Sequence, residues 1–235
     1  MERVKFTTTF LTRIQVTETV SSFRFEKPEG FTYLAGQWFK ITVPSAQGPL
    51  SKPFTYSSSP TEPYLQLSTR LSGSEFKNAL AALQPGNEVE MQGVYGNFTL
   101  KDDLKRLVFL AGGIGVTPIR SILRYLSDTG GTLPITVFYG NMTVDDIPFK
   151  GDFDEFETAL PSLKVVHVIF DPPADWEGHQ GYITADVVKA ELEDPTAWTY
   201  YVSGPPPMIE AMKKVTDTLG LPEQCLVVES FGGSK

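Results

Sequence analysis

Two glycine-rich segments carry the residues of this chain whose types and spacing best suit chemistry. Residues 112–118 read GGIGVTP and residues 203–208 read SGPPPM. Each segment follows an apolar, strand-like run and precedes a stretch with helical periodicity. Glycine lets the backbone approach a phosphate closely, and the N-terminus of the following helix favours its negative charge. Two such turns in one half of the chain therefore predict a nucleotide site.

The two turns differ in what their residues predict. In the first, Thr117 is placed to cap the following helix and Pro118 to occupy its first position. This turn lacks the G-x-G-x-x-G spacing of the dinucleotide fold, so taken alone it is equally compatible with a turn that binds nothing. In the second, the prolines at 205–207 remove N–H donors and form a rigid ledge. The helical spacing of Met208 predicts that it packs in the core.

A third segment, residues 52–57, reads KPFTYS and combines aromatic rings with hydroxyl groups. An aromatic side chain such as Phe54 can pack against a planar ligand ring. Ordinary cross-strand packing is the alternative for Phe54 and Tyr56. Together with the glycine turns, this segment indicates a redox enzyme.

The composition excludes several classes of protein. The formal net charge of −8 and the absence of a Lys/Arg cluster argue against a nucleic-acid partner. No apolar run approaches the about 18 residues of a membrane helix, and the first residues lack the apolar stretch of a signal peptide. These features predict a cytoplasmic protein without membrane insertion. The single Cys225 and the two histidines predict no disulfide, no iron–sulfur cluster and no metal site, so the redox group must be an organic cofactor.

The pattern of predicted secondary structure that must position these segments changes near residue 101. The first part contains short alternating segments, which predict antiparallel strands at 5–16, 23–26, 38–43, 54–57, 64–69 and 88–92, with one helical pattern at 74–83. The second part alternates helical patterns with near-continuous apolar runs at 107–111, 135–139, 165–170, 198–202 and 226–228. We therefore predict an antiparallel β-barrel domain over residues 1–101 and an α/β nucleotide-binding domain with a parallel sheet over residues 102–235.

The order of these motifs resembles the ferredoxin–NADP reductase superfamily, whose members are flavin reductases built from a barrel and a nucleotide-binding domain. Residues 52–55 stand where the family has Arg-x-Tyr-Ser/Thr, residues 112–118 fit its Gly-Gly-x-Gly-x-Thr-Pro, and residues 203–206 stand where it has Cys-Gly-Pro-Pro. The resemblance covers nearly the whole length. It implies that the first domain binds FAD and the second binds NAD(P)H.

The resemblance also assigns roles to individual residues. Phe54 would lie against the isoalloxazine ring, and Thr55 would offer its hydroxyl to flavin N5. Ser203 would lie beside the nicotinamide, and Glu229 would relay a proton or orient the nicotinamide, with an exposed strand-end acid as the alternative. The implied catalytic residues are thus Thr55, Ser203 and Glu229. The implied cofactor-binding residues are Lys52, Pro53, Phe54, Thr55, Tyr56, Ser57, Thr69, Arg70, Gly73, Ser74, Lys77, Gly112, Gly113, Gly115, Thr117, Pro118, Asn141, Gly204, Pro205, Pro206, Met208 and Phe231.

Lys52 departs from the family's arginine. A lysine neutralises a phosphate as a point charge and cannot form the bidentate fork of a guanidinium group. Arg70, the helix start at residues 73–74 and Lys77 are therefore expected to contribute to a pyrophosphate site, although a solvated surface lysine is the alternative for Lys77. The resemblance favours FAD over FMN.

Ser203 replaces the family's cysteine; its hydroxyl can still orient the nicotinamide, but thiol chemistry is excluded. Phe231 is a candidate to cover one face of a ring, although the chain continues past it. Residues 140–143 read GNMT and are followed by Asp145 and Asp146. Members of the family often have a basic residue for the 2′-phosphate of NADPH at this strand end, whereas these carboxylates would repel that phosphate, so the resemblance implies a preference for NADH.

The sequence thus predicts a flavin-dependent oxidoreductase that passes hydride from NAD(P)H to FAD and electrons onward to a small-molecule or protein acceptor. The net charge disfavours an equally acidic ferredoxin as that acceptor. Two alternatives stay open. One is an electron-transfer or regulatory subunit that acts only when docked on a partner protein. The other is a flavin-binding remnant without activity.

Overall fold

The computed structural model describes residues 4–231 and divides the chain into two compact units. The first unit contains the residues up to Thr99 together with Thr117–Tyr125, and the second contains Leu100–Val116 and the residues from Leu126 onward. These units differ from the predicted ranges 1–101 and 102–235 chiefly in Thr117–Tyr125, which groups with the first unit. The predicted domain ranges themselves stay a prediction.

The first unit is built on one antiparallel sheet with the strand order β4-β3-β6-β1-β2-β5. Its strands are β1 (Lys5–Gln15), β2 (Val20–Glu26), β3 (Trp38–Val43), β4 (Leu50–Thr55), β5 (Tyr64–Arg70) and β6 (Glu88–Tyr95), and the short helix α1 (Glu75–Ala81) follows β5. The ends of the sheet meet just after β4, where the Ser57 N–H donates to the Gln66 carbonyl at 2.8 Å. This closure confirms the predicted antiparallel barrel class.

Alternation along the strands explains the core of this unit. In β3, Phe39, Ile41 and Val43 are buried, whereas Lys40 between them is exposed. The pleat turns successive side chains to opposite faces, so one face of each strand fills the barrel. At the centre, the Tyr56 ring stacks on Tyr33 and Phe39, with ring centroids 4.2 and 4.3 Å away.

The second unit is built on a parallel sheet with the strand order β10-β9-β8-β7-β11-β12. Its strands are β7 (Leu107–Gly112), β8 (Ile135–Asn141), β9 (Leu163–Ile169), β10 (His179–Gln180), β11 (Thr199–Gly204) and β12 (Leu226–Ser230). The helices that alternate with these strands along the chain are α2 (Thr117–Thr129), most of which groups with the first unit, α3 (Lys150–Ala159), α4 (Ala185–Glu191) and α5 (Pro206–Thr218). Central strands such as β7 are buried on both faces, which accounts for their continuous apolar runs.

The strand order reverses beside β7. From β7 the chain runs outward through β8, β9 and β10, and then returns to place β11 on the other side of β7. Such a reversal leaves a crevice at the carboxyl ends of the two strands, where open α/β sheets bind ligands. Ala111 pairs with Ser203 across this reversal, so the two glycine-rich turns begin side by side.

The prediction that Thr117 caps α2 is wrong. A 3₁₀ turn at Gly113–Val116 runs directly into α2, and Val116, with φ −72° and ψ −9°, precedes the helix without a side-chain cap. Thr117 is therefore the first residue of α2, and Pro118 is the second. The backbone is already helical before Thr117, so its side chain lacks the extended geometry from which a capping hydroxyl reaches back.

None of the helices within residues 4–231 has both the length and the apolar character needed to cross a membrane. The predicted cytoplasmic location stays a prediction.

Candidate functional site

Phe54, near the end of β4, contacts the first turn of α1. Its half-buried ring stacks on Phe76, with centroids 5.5 Å apart and an interplanar angle of 26°. Cross-strand and helix packing therefore occupy one part of the ring. The contact also brings the predicted flavin-ring residue next to the helix start, residues 73–74, that was predicted to hold the pyrophosphate.

Thr55 ends β4 with a buried hydroxyl that has no hydrogen-bond partner among residues 4–231. The residue is 4% exposed, and its Oγ1 makes no hydrogen bond in the structure. An unpaired buried hydroxyl costs free energy unless a ligand satisfies it. Thr55 therefore fits the predicted hydrogen bond to a flavin.

Tyr56 and Ser57 belong to the interior of the first unit. The Tyr56 side chain is fully buried between rings of the core, as the cross-strand packing alternative describes. Ser57 is also fully buried, and its hydroxyl lies 2.7 Å from that of Ser68. Thr69, likewise buried, uses its hydroxyl to contact the Arg70 carbonyl at 3.4 Å. Contact of these three side chains with a flavin stays a prediction.

Two cations lie close together near the start of α1. Lys77 Nζ donates to Ser72 Oγ at 3.1 Å, and Arg70 donates to Thr19 Oγ1 at 2.5 Å. Partial burial lowers the pKa of Lys77, and the positive charge of Arg70 lowers it further. The exposed Ser74 precedes α1 without making a side-chain cap. Two neighbouring cations are stabilised by an anion, as the predicted pyrophosphate site requires.

Lys52 is half-buried on β4, opposite Ile41, and Pro53 beside it is exposed. Their contact with the cofactor stays a prediction.

In the second unit, Met208 packs on both glycine-rich turns. A Cβ atom added to Gly112 would lie 2.7 Å from the Met208 sulfur, and one added to Gly204 would lie 2.8 Å from it. A Cβ atom added to Gly115 would lie 2.7 Å from the Ser203 carbonyl oxygen. These glycines are thus required for the close approach of the two turns. The contacts of Met208 with Gly112 and Gly204 agree with the packing role expected for this residue.

Ser203, in the second glycine-rich turn, holds the first glycine-rich turn through a hydrogen bond. It is fully buried, and its Oγ donates to the Gly115 carbonyl at 2.8 Å. The hydroxyl proton is therefore engaged within the protein, and contact of Ser203 with a nicotinamide stays a prediction. Pro205 and Pro206 follow on the surface, where Pro206 begins α5.

Asn141 lies at the carboxyl end of β8 with unsatisfied polar atoms. The residue is 8% exposed, and within the described part of the chain neither its Oδ1 nor its Nδ2 has a hydrogen-bond partner. Beside it lie the exposed side chains of Met142, Phe170 and Tyr182, and the Phe170 and Tyr182 rings are 4.9 Å apart. An apolar surface next to unpaired amide atoms suits a nucleotide base and its sugar.

Glu229 lies beside Ser203 in the register of β12 against β11. Burial raises the pKa of its carboxyl group to about 7. A carboxyl group that titrates near neutral pH can hold or release a proton under working conditions. Phe231 follows, half-buried, and its N–H donates to the Gly204 carbonyl at 3.0 Å. Residues 232–235, which continue the chain past it, lie outside the described residues.

Two residues that the sequence analysis missed support the backbone at this edge of the sheet: Tyr139 supports the first glycine-rich turn, and Asp171 supports the segment after β8. The Tyr139 hydroxyl lies 3.1 Å from the Gly113 carbonyl and 3.1 Å from the Pro148 carbonyl. Asp171 donates its N–H to the Met142 carbonyl at 2.8 Å. The Tyr139-Gly140-Asn141 sequence after an apolar run was the signal available for the first contact. The Asp171–Met142 hydrogen bond had no such signal, because it depends on the pairing of β8 with β9.

Within residues 4–231, no three His, Cys, Asp or Glu side chains are grouped closely enough to hold a metal ion.

Comparison with known proteins agrees with this architecture. A family model described as "Oxidoreductase NAD-binding domain" matches residues 109–214. The chain is 33% identical over 156 residues to an NADH-cytochrome b5 reductase 1 of Ajellomyces capsulatus, covering 63% of this chain and 50% of that protein. It is 28% identical over 233 residues to the reductase component of a propane 2-monooxygenase of Rhodococcus jostii, covering 95% of this chain and 63% of that protein. The chain thus spans between half and two thirds of these two relatives.

Solved structures share the fold over almost the whole chain. The Amycolatopsis cytochrome P450 reductase GcoB superposes with a TM-score of 0.87 at 22% identity, covering 99% of this chain and 71% of that one. A ferredoxin NADP+ reductase of Neisseria gonorrhoeae superposes with a TM-score of 0.80 at 18% identity, covering 98% of this chain and 99% of that one. The matching NAD-binding domain and the shared two-part fold agree with the resemblance of the sequence motifs to the ferredoxin–NADP reductase superfamily.

Proposed function

We propose that this protein is a flavin-dependent NAD(P)H oxidoreductase that takes hydride from NADH and passes electrons onward to an acceptor. The observation that carries the proposal is the position of the two glycine-rich turns. They begin at the adjacent carboxyl ends of β7 and β11, where the strand order of the parallel sheet reverses. This is where α/β sheets bind dinucleotides.

The second unit supplies the nicotinamide site in this proposal. The backbone of Gly112, Gly113 and Gly115 approaches the pyrophosphate, and the Ser203 hydroxyl holds that backbone through the Gly115 carbonyl. Asn141 offers its unpaired amide atoms to the nucleotide. A pre-formed turn lowers the entropy lost on binding, because its backbone is ordered before the cofactor arrives.

The first unit supplies the flavin site. Thr55 satisfies its buried hydroxyl by a hydrogen bond to the ring, and Phe54 contributes an aromatic surface. Lys52, Arg70 and Lys77 balance the charge of the phosphates. When bound, FAD accepts a hydride and releases its electrons one or two at a time.

Glu229 handles the proton in this proposal. Because its pKa lies near 7, the carboxyl group is protonated in part of the molecules at neutral pH. It is a hydrogen-bond donor when protonated and an acceptor when ionised, beside Ser203 in both cases.

The carboxyl ends of β8 and β9 favour NADH over NADPH. Asp171, which follows β9, lies next to Met142 through a backbone hydrogen bond, and Asp145 and Asp146 follow Met142 in the loop after β8. A 2′-phosphate close to these carboxylates would meet negative charge and no arginine or lysine at position 142.

The acceptor is a small molecule or a protein other than ferredoxin. Purified protein, reconstituted with FAD if necessary, tests the function. We expect one FAD per chain, bleaching of its visible absorption by NADH under anaerobic conditions, and turnover with a ferric chelate. Protein that binds neither FAD nor FMN, or whose bound flavin NADH does not reduce, would overturn the proposal.

A second candidate function is an electron-transfer component that acts only when docked on a partner. It is favoured by the match, over 95% of this chain, to a protein named as the reductase component of a monooxygenase. The same assay separates the two functions. Rapid bleaching by NADH without turnover on any small acceptor would favour the docked component.

A further inference from the structure

A buried ion pair within the first unit joins α2 to the segment that follows β4. Arg120 Nη1 lies 2.9 Å from Glu62 Oε2, and Nη2 lies 3.2 Å from Oε1, so the contact is bidentate. The two side chains are 4% and 11% exposed. Neither residue was singled out by its sequence pattern.

Further hydrogen bonds extend this pair over the whole segment, residues 57–62. Arg120 also donates to the Ser57 carbonyl at 2.7 Å, and the neighbouring Ser121 hydroxyl donates to the Ser58 carbonyl at 2.6 Å. Glu62 accepts the Ser59 N–H at 2.7 Å. The segment is thus held at both ends by the first turns of α2.

Glu62 is kept ionised by its partners. Burial raises the pKa of its carboxyl group, but the hydrogen bonds and charge of Arg120 outweigh this effect, together with the hydroxyl of Tyr64, 2.6 Å away. The net result is a pKa below the ordinary value. The pair therefore carries both charges at neutral pH.

A buried ion pair of this kind is poor evidence for a role in stability alone. Well-packed apolar residues of similar volume often stabilise a fold as well, whereas removing one partner leaves an uncompensated charge. What the pair contributes is geometry, because a guanidinium fork and a carboxylate fit each other in one arrangement. The backbone whose geometry is set begins two residues after Thr55, which has the unsatisfied hydroxyl.

We propose that Arg120 and Glu62 are positioning residues for the flavin. They hold residues 57–62 on α2 so that the end of β4 presents the Thr55 hydroxyl in one fixed position. This inference rests on the proposed flavin site. Neither side chain contacts the cofactor in the proposal, so both act through the backbone of the segment.

The test compares Arg120→Met, Glu62→Gln and Arg120→Lys with the wild type in the full-length protein. For each, FAD affinity of the apoprotein is measured by fluorescence titration, and the visible circular dichroism of the bound flavin reports its surroundings. We expect the Kd for FAD to rise about tenfold in Arg120→Met and Glu62→Gln, with altered flavin dichroism. Arg120→Lys keeps the charge without the fork, and an intermediate Kd is expected.

A core truncation on another strand, Val89→Ala, provides the control for lost stability. Val89 is 3% exposed on β6, and its truncation lowers the melting temperature through packing. If the Kd for FAD follows the melting temperature equally in all variants, the pair is only structural and the proposal fails. If the ion-pair variants do not fold, Ser121→Ala, which removes one bond to the segment, is expected to shift the flavin dichroism, and an unchanged spectrum overturns the proposal.

The outcome also separates this inference from the proposed function. A wild-type protein that binds no flavin overturns both. A wild-type protein that binds FAD, with variants of unchanged Kd and dichroism, overturns only the positioning role.

Discussion

At the scale of single residues, two adjacent buried hydroxyl groups separate a ligand-facing residue from a packing residue. Thr55 and Tyr56 both bury a hydroxyl that lacks a partner in the structure. Successive residues of an extended backbone point to opposite faces, and Tyr56, the first residue after β4, points into the aromatic core. The unpaired phenol of Tyr56 therefore only destabilises the fold, whereas the Thr55 hydroxyl is available to a ligand.

We predict that Thr55→Val and Tyr56→Phe each stabilise the apoprotein by about 1 kcal/mol, because each removes an unpaired buried hydroxyl. Only Thr55→Val is expected to weaken FAD binding. Thermal unfolding of the apoprotein and titration with FAD measure the two effects. Thr55→Ser, which keeps the hydroxyl, serves as the control. Equal loss of FAD affinity in Thr55→Val and Tyr56→Phe would show that the hydroxyl of Thr55 has no special role.

Glu229 gives a prediction on pH. Its folded-state pKa of about 7 lies above the ordinary value of a glutamate, so between these two pH values the folded protein binds more protons than the unfolded one. Stability from this group is therefore present at low pH and is lost as the pH rises towards 7. We expect Glu229→Gln to lose less stability than the wild type between pH 5 and pH 8.

The same substitution is expected to remove a limb near pH 7 from the pH profile of NADH-driven turnover. Melting temperatures and steady-state rates measured over this range check both effects. Identical pH profiles for the wild type and Glu229→Gln would remove Glu229 from the proton-handling role.

At the scale of elements, β8 supports the first glycine turn through Tyr139. The Tyr139 hydroxyl lies 3.1 Å from two carbonyl oxygens, those of Gly113 and Pro148, and donates its proton to them. We predict that Tyr139→Phe raises KM for NADH about fivefold and changes kcat little, because the loss of about 1 kcal/mol falls on the ordering of the turn.

Tyr200→Phe is the matched control for this change. The Tyr200 hydroxyl also donates to a backbone carbonyl, that of Pro195 at 3.0 Å, which lies outside both glycine turns. It is expected to leave KM for NADH unchanged. Similar KM values for the two variants would mean that Tyr139 does not position the turn.

The carboxyl ends of β8 and β9 determine the predicted choice of nicotinamide cofactor. Met142 is 52% exposed beside Asp171, so an arginine at this position can reach a 2′-phosphate without disturbing the core. We predict that Met142→Arg lowers the ratio of kcat/KM for NADH to that for NADPH. Met142→Gln, which adds a polar group without charge, is the control. A wild-type enzyme with the higher kcat/KM for NADPH would refute the assignment.

At the scale of the whole molecule, the net charge of −8 bears on the acceptor. Like charges slow the encounter of two proteins, and salt screens this repulsion. We predict that free flavin, ferric chelates and quinones are reduced faster than an acidic ferredoxin at low ionic strength. Rates measured over a range of salt concentrations check this. Fast ferredoxin reduction that slows steeply with added salt would instead indicate a basic docking patch, for which Lys101, Lys105 and Arg106 are the candidates.

Local patterns in the sequence were sufficient for the classes of the two sheets and for the order of the motifs. Alternation at every second residue predicted the antiparallel strands, and continuous apolar runs such as 107–111 predicted the parallel ones. Both signals arise within a few neighbouring residues, so no knowledge of the fold is needed to recognise them. Strand ends were less accurate. The segment predicted at 54–57 is the strand Leu50–Thr55, because pairing with β3 and not the local pattern sets its limits.

The tertiary structure alone decided which residues support the site. Ser203 donates to Gly115 across 88 residues of chain, and Arg120 holds Glu62 across 58. The start of α2 likewise depends on the 3₁₀ turn before it, and not on the capping signature of Thr117. The types of residue that contact a nucleotide or a flavin follow from the chemistry of the ligand, and they are visible in the sequence. The residues that hold them follow from which strands become neighbours, and that order is established only when the chain folds.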